Sequence, residues 1–511
     1  MTPGTEAPPP LQTSPVVGLG DPGAVRNTLL QLGSQVAGAV FTAGLTLYLV
    51  RRLGASGYGV YALATTIGVL VVLPAGLGLP WAIGRFLADH IDDLDQLRSI
   101  FLLGLRLQAT AGLLAAGALF ALSGPVAAAF GHPHLGWALR WVAVSVIGQT
   151  LFVYLTSAVT SVRHVAIGLW MSVIESAAQT GSAVALVAAG TGAAGAASGV
   201  AIGYIVASAA GLFLTLRLLR WRPRQVRAKV QVAASTIVRY AGAMFVVDFT
   251  WSATAQIDVV LIGAILTFGA VGSFSAVLQI LNVLSYLGIA VAGGVAPRLS
   301  LKRGGPDTRA FFEAIRYLII LQGLVIAPMV VWARPIVELL LGAGYPSSPA
   351  IMRVLAVQAF VSGPAALVTV AVTYLGEARR RVWIALGSLG LGLAVTYVLI
   401  RAIGVLGAAI GDDIVFVMYV GAHFWICHRL VALDLRSLGW SVLRTVAAAA
   451  AMAVPLASAG TDHLSLVGWI AGGAAGAALY AGTLLITREL SVGELVALTA
   501  KVKLRARSAG G

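Results

Sequence analysis

Charged and amide side chains stand inside stretches that are otherwise apolar, and these are the residues with chemistry to perform. In the segment 240–266, Asp248, Trp251, Ser252, Ala255 and Asp258 are spaced to share one broad helical face. In 165–189, Ser172, Glu175, Gln179 and Ser182 recur at intervals of three and four, and in 27–50, Gln31, Gln35, Gly38, Thr42 and Thr46 do likewise. Arg106 sits inside 101–122, and Asp412 and Asp413 sit inside 405–427. A charge in the middle of a bilayer costs about 2.5–3.5 kcal/mol on insertion scales. Such groups are therefore expected to face a hydrated cleft or one another. There the amides and hydroxyls could bind polar groups, an arginine could attract an anion, and a carboxylate could take H+ or Na+. The Gln, Ser and Thr stripes serve equally well to pack one helix on the next.

Other motifs promise less. Asp93-Leu94-Asp95 imitates the DxD of a metal-dependent glycosyltransferase but falls in a short loop without the rest of such a site. Gly18 to Gly23 spell a formal GxGxxG that no strand precedes and that Pro22 interrupts. His132-Pro133-His134 lacks metal spacing and reads as a polar turn. No Gly-Lys or His-Glu pair occurs, so neither a Walker A loop nor an HExxH helix is present. Cys427 is the single cysteine, which excludes an internal disulfide. The expectation is a protein that is not an enzyme and has no cofactor, apart from a coupling H+ or Na+.

The elements that must hold these side chains are membrane helices. The chain of 511 residues is 59% hydrophobic and 10% charged, against roughly 45–50% and about 25% in globular proteins. The apolar residues come in runs long enough to span a bilayer, which takes about 20 residues. The predicted fold class is an all-α membrane protein of about fourteen spans. They run 27–50, 58–84, 101–122, 137–161, 165–189, 193–216, 240–266, 270–296, 313–333, 350–375, 382–400, 405–427, 440–459 and 464–487. Gly76 to Pro80 invites a bend in the second. Residues 1–26 lack a signal-peptide pattern and read as a disordered tail.

Orientation follows from the basic residues. With the N-terminus inside, the tails and even-numbered loops hold 27 of the 34 Lys and Arg, and the odd-numbered loops hold 3. That asymmetry places both termini in the cytoplasm of a multi-pass plasma-membrane protein. It also accounts for the net charge of +15 without nucleic acid as a partner. The stretch Arg217–Lys229 with Trp221 reads as an anchor to lipid headgroups.

The two halves of the chain repeat. Gly59 and Gly272, Arg85 and Arg298, and Arg140 and Arg353 are each 213 residues apart. Gly192-x-x-Gly195-Ala196-Ala197-x-Gly199 returns as Gly404-x-x-Gly407-Ala408-Ala409-x-Gly411, 212 residues on. Phe130-Gly131 and Leu341-Gly342 match at 211. An even number of spans separates the copies, so the repeat is parallel, about an axis along the membrane normal. This gives a lobe over 27–216, a basic linker over 217–239, a second lobe over 240–427, two extra helices over 440–487, and a basic tail over 488–511. Two lobes around a cleft are a transporter plan.

These landmarks carry a resemblance. Leu53-Gly54-Ala55-Ser56-Gly57-Tyr58-Gly59-Val60-Tyr61-Ala62, followed by Gly76-Leu77-Gly78 and Arg85, resembles the second-helix signature of the polysaccharide-biosynthesis flippases. Gln256-Ile257-Asp258, Val271-Gly272, Phe274 and Pro297-Arg298-Leu299-Ser300 resemble its counterpart in the second half. The resemblance covers roughly 27–430 and lies within the multidrug/oligosaccharidyl-lipid/polysaccharide exporters. It implies two six-helix lobes in a V that carry a polyprenyl-pyrophosphate-linked oligosaccharide to the outer leaflet by alternating access. It further implies a bacterial inner membrane, a monomer, and partners that include membrane lipids, a polysaccharide polymerase and glycosyltransferases. In that setting Arg106, Arg140 and Arg353 are expected to attract the pyrophosphate, while Asp248, Asp258 and Glu175 bind sugar hydroxyls or a coupling cation. Gln31, Gln35 and Gln179 would line the same cavity. A cation-coupled multidrug exporter and a peptidoglycan-precursor flippase are the alternatives.

Overall fold

A computed structural model describes residues 22–76, 78–219, 234–299, 307–491 and 493–494. Among them the chain is all helical. α1 (Pro22–Gly76) holds two segments broken at Gly54, whose φ of 66° and ψ of 176° leave the helical region. The first lobe continues with α2 (Leu79–Asp89), α3 (Leu94–Ala129), α4 (Pro133–Ser161), α5 (Val165–Ala188) and α6 (Gly192–Leu218). The second comprises α7 (Ala234–Ile265), α8 (Phe268–Val295), α9 (Thr308–Val331), the short α10 (Ala333–Leu340) and α11 (Ser348–Val354), α12 (Ala356–Tyr374), α13 (Ala378–Ile403) and α14 (Val405–Val431). α15 (Leu435–Ala459) and α16 (Leu466–Ile486) form a hairpin packed on α9. The formal GxGxxG lies largely outside the described residues, as does most of the basic linker.

Ten of these helices are long and apolar enough to cross a membrane, so the chain is a multi-pass membrane protein. α5 is not among the ten, because Ser172, Glu175, Gln179 and Ser182 dilute its apolar residues. Apolar side chains face outward along the bundle. Trp383 is 68% exposed and Ile486 83%. In water such a surface would aggregate, whereas lipid accepts it.

Local chemistry explains the boundaries. Asp93 caps α3 by accepting from the Asp95 and Gln96 amides at 3.1 Å. The apparent DxD is thus a helix start. α1 stops at Gly76, Gly78 adopts φ 65°, and Pro80 enters the first turn of α2, which realises the expected bend. α1 itself begins at Pro22, five residues before the expected span.

The repeat is written in the helix stops. Gly54 breaks α1, and 213 residues later Thr267 separates α7 from α8 with φ −98° and ψ 158°. Gly192 and Gly404, with φ 62° and 67°, turn the chain into α6 and α14. Gly131 and Gly342 share the left-handed region at φ 67° and 91°. Only glycine occupies that region without cost.

The lobes meet through α1 and α2 on one side and α7 and α8 on the other. Gly59 and Gly272, mates in the repeat, touch backbone to backbone. A Cβ on Gly59 would lie 1.8 Å from the Phe268 carbonyl oxygen, and one on Gly272 would lie 1.9 Å from that of Ala55. Around this contact a single apolar core joins the lobes, with Leu49, Tyr58, Phe274 and Tyr345 all buried. The Tyr345 hydroxyl donates to the Val50 carbonyl at 2.8 Å. Arg51 donates to the Leu339 and Leu340 carbonyls, where the dipole at the end of α10 favours a cation.

Candidate substrate cavity

Beneath that seal lies a cavity of about 970 Å³ between the lobes. The first lobe contributes wall residues from α1, α4, α5 and α6, and the second from α7, α8, α12, α13 and α14. The wall is rich in neutral hydrogen-bonding groups. Its amides are Gln149, Gln179, Gln256, Gln279, Asn282 and Gln358, with phenols from Tyr61, Tyr204 and Tyr419 among them. Thr66 Oγ1 donates to Gln256 Oε1 at 3.1 Å and ties the lobes together at the wall. Among the described residues the lining holds one basic side chain, Arg381, and one acidic side chain, Asp412.

Arg381 stands in the first turn of α13, at the end of the cavity away from Gly59 and Gly272. Its Nη1 donates to Thr373 Oγ1 at 2.7 Å. Its Nε is buried and has no hydrogen-bond partner among the described residues. A buried guanidinium N–H without an acceptor is costly, and an anion in the cavity would satisfy it.

Asp412 belongs to a carboxylate cluster set into the second lobe. Its Oδ2 accepts from Gln358 Nε2 at 3.0 Å, and Asp413 Oδ1 accepts from the Gln358 amide at 3.1 Å. Asp258, 5% exposed, reaches across from α7 to within hydrogen-bonding range of the Asp412 carboxyl. Two carboxylates that close repel unless a proton or another cation lies between them.

The expected site residues divide. Gln179 lines the cavity. Glu175 lies one turn away, half-buried, within electrostatic reach of Tyr61 and Tyr204. Asp258 sits behind the wall and meets the cavity through Asp412. The side chains of Gln31, Gln35 and Asp248 lie outside the described residues. The three arginines assigned to pyrophosphate do not line the cavity. The inward face of α3 runs through Phe101, Gly104, Gln108 and Gly112, and Arg106 falls off that stripe and is exposed. Arg140 stacks on Trp137, 4.7 Å from the ring centre, beside a separate hollow at the start of α4. Arg353 is exposed and donates from Nε to the Val330 carbonyl at 3.1 Å. The residue that does enter the cavity, Arg381, ends the run Arg379-Arg380-Arg381, which the sequence presents as loop charge. Its position in the first turn of a helix was the available signal.

A helical bundle of two repeated lobes around a polar, near-neutral cavity defines a membrane protein with a transporter fold. The chain belongs to the polysaccharide biosynthesis protein family, whose model matches residues 24–301, more than half of its length. Among solved structures it is similar to "Lipid II flippase MurJ, inward closed conformation", with TM-score 0.66 and 12% identity over 90% of this chain and 98% of that one. It is also similar to an inward-facing multidrug resistance MATE family transporter of the MOP superfamily, with TM-score 0.62 and 14% identity over 78% and 95%. The MATE multidrug transporter DinF-BH matches with TM-score 0.61 and 16% identity over 82% and 98%. No curated protein sequence gives a significant match.

Proposed function

We propose that this protein is a flippase that carries a lipid-linked oligosaccharide from the inner to the outer leaflet of a bacterial plasma membrane, without converting it chemically. The observation that carries the reading is the lining of the cavity. Amides and phenols suit the hydroxyls of a neutral sugar, which cannot enter hydrocarbon without losing its hydrogen bonds. One arginine with an unpaired Nε suits a diphosphate linkage. Arg381 replaces Arg106, Arg140 and Arg353 in that role. The lipid tail stays in the bilayer at the lobe boundary. With the outer end sealed at Gly59 and Gly272, this is the form that would receive substrate from the cytoplasmic side, where both termini lie.

Coupling falls to the Asp258–Asp412 pair, which would hold H+ or Na+ and release it as the lobes exchange positions. The drug-exporter reading requires an acidic cavity for an organic cation. Here one lining carboxylate is offset by one guanidinium, which favours a neutral sugar bearing a phosphate anchor. The polymerase and glycosyltransferases of the same polymer are the expected partners of a monomeric flippase.

The test is translocation in liposomes. Purified protein is reconstituted with a fluorescent polyprenyl-diphosphate oligosaccharide, and a membrane-impermeant enzyme reports the outer-leaflet fraction over time. Flipping above that of protein-free vesicles, reduced by Arg381→Gln and retained by Arg106→Gln, supports the reading. Movement of an organic cation down an imposed ion gradient, with the oligosaccharide immobile, replaces it with the drug-exporter reading.

A further inference from the structure

A second cluster of arginines lies far from the transport cavity. Where α9 and α15 begin and α16 ends, a hollow of about 460 Å³ is lined by Arg316, Arg436, Arg444 and Arg488, with Trp440 beside them. Its two acids are already engaged. Glu489, 3% exposed, accepts from Arg316 Nε at 2.9 Å, Arg444 Nη1 at 3.1 Å and Ser441 Oγ at 2.5 Å. Asp434 accepts from the Ser437 amide at 3.0 Å and caps α15. Arg436 and Arg488 are exposed and make no ion pair among the described residues. The hollow thus has two guanidinium groups without a carboxylate partner among the described residues. Arg488 also keeps φ at 56°, a left-handed conformation that a non-glycine residue adopts at a cost.

Its setting names the ligand. Arg436, Trp440 and Leu443 follow at intervals of four and three on one face of α15, and Trp440 is 52% and Leu443 56% exposed. Charge, indole and alkyl therefore succeed one another along the helix, in the order of phosphate, glycerol interface and acyl chain in a leaflet. Arg488 stands two residues beyond Ile486, the outward apolar end of α16. We infer that this hollow binds the phosphate of an anionic membrane lipid through Arg436 and Arg488, with Trp440 at the glycerol level. The bound lipid joins the start of α15 to the end of α16 above Arg316 of α9. It holds the C-terminal hairpin against the second lobe without entering the transport cavity.

The full chain in detergent is titrated with phosphatidylglycerol, phosphatidylcholine or inorganic phosphate, read by thermal unfolding and by lipid retained in native mass spectrometry. Phosphatidylglycerol is expected to stabilise and to remain bound, and phosphatidylcholine is not. Each arginine lost should weaken retention about fivefold, taking about 1 kcal/mol per basic residue near a lipid surface. The double variant R436Q/R488Q should therefore unfold like wild type in phosphatidylcholine and lose the effect of phosphatidylglycerol. Should that variant fail to fold, Arg436→Gln alone should weaken phosphatidylglycerol retention about fivefold. Equal retention by wild type and variant overturns the site. Stabilisation by inorganic phosphate equal to that by phosphatidylglycerol overturns the lipid as its occupant.

Discussion

The two lobes use the same helix stops and put opposite chemistry at matching positions. Asp258 and Asp412 of the second lobe correspond, in the repeat, to Leu45 and Val200 of the first, and Gln358 corresponds to Ser145. Both Leu45 and Val200 line the cavity. Arg381 has Gly168 as its mate. The first lobe instead offers Tyr61, Gln149, Gln179 and Tyr204. Geometry was duplicated and charge was not. The difference suggests a division of labour, in which the first lobe reads neutral groups while the second handles ions.

The largest effect should come from breaking what the lobes share. Gly59→Val would force a side chain into the Phe268 carbonyl, and overpacking a close contact costs about 1–3 kcal/mol or more. Translocation should fall by about 100-fold, since each 1.4 kcal/mol is tenfold. A thiol-reactive probe should label Thr46→Cys faster from the outer side in that variant. Unchanged flux and labelling would detach the seal from the transport cycle.

Next comes the charge that, among the described residues lining the cavity, only the second lobe carries. Asp412→Asn should reduce uphill transport about tenfold or more and abolish its dependence on an imposed H+ or Na+ gradient. The mirror change in the first lobe, Val200→Asn, should leave the ion dependence in place. If both variants behaved alike, the division between lobes would fail.

Arg381→Gln should raise the half-saturating concentration of the diphosphate-linked substrate about tenfold, the loss of one charge-assisted hydrogen bond of about 1.5–3 kcal/mol. Arg106→Gln should change it little. In the first lobe, Gln179→Ala should cost about two- to fivefold, in keeping with about 0.5–1 kcal/mol for a neutral hydrogen bond.

The smallest effect lies in the C-terminal latch. The Ser491 amide, ahead of Arg316, holds the Glu494 carboxyl below its ordinary range. A depressed carboxylate stabilises the fold above its unfolded value and loses that contribution as pH falls through the folded one. Thermal unfolding of wild type and Glu494→Gln should differ near pH 7 and converge near about pH 3. A constant difference across that window would sink the assignment.

Much of this architecture was legible in the chain. Periodic Gly landmarks foretold the repeat because left-handed stops and backbone contacts tolerate no other residue: Gly192 and Gly404 are stops of the first kind, and Gly59 with Gly272 is a contact of the second. Of the polar stripe of α5, Gln179 is the residue that lines the cavity. The arginines misled, because a long guanidinium in an apolar run says that a partner is needed and nothing about where it is. Arg140 found the rings of Trp137 and Phe120, 4.7 and 5.8 Å from their centres. Arg353 found a carbonyl. Asp412 and Asp258, 154 residues apart, gave no sign that they would meet.

The sequence by itself determined that the chain lives in a bilayer and that it is built twice, and its basic loops set the orientation to be expected. Hydrophobic length, charge asymmetry and glycine position are local properties, and each constrains the backbone directly. Only the tertiary structure decided which charges share a space. Helix rotation is set by packing against neighbours, and a turn of about 100° per residue carries a side chain from the cavity to the lipid. Arg381 and Arg106 are the same residue in the same kind of helix. Packing gave one of them a cavity and the other the outer face of the bundle.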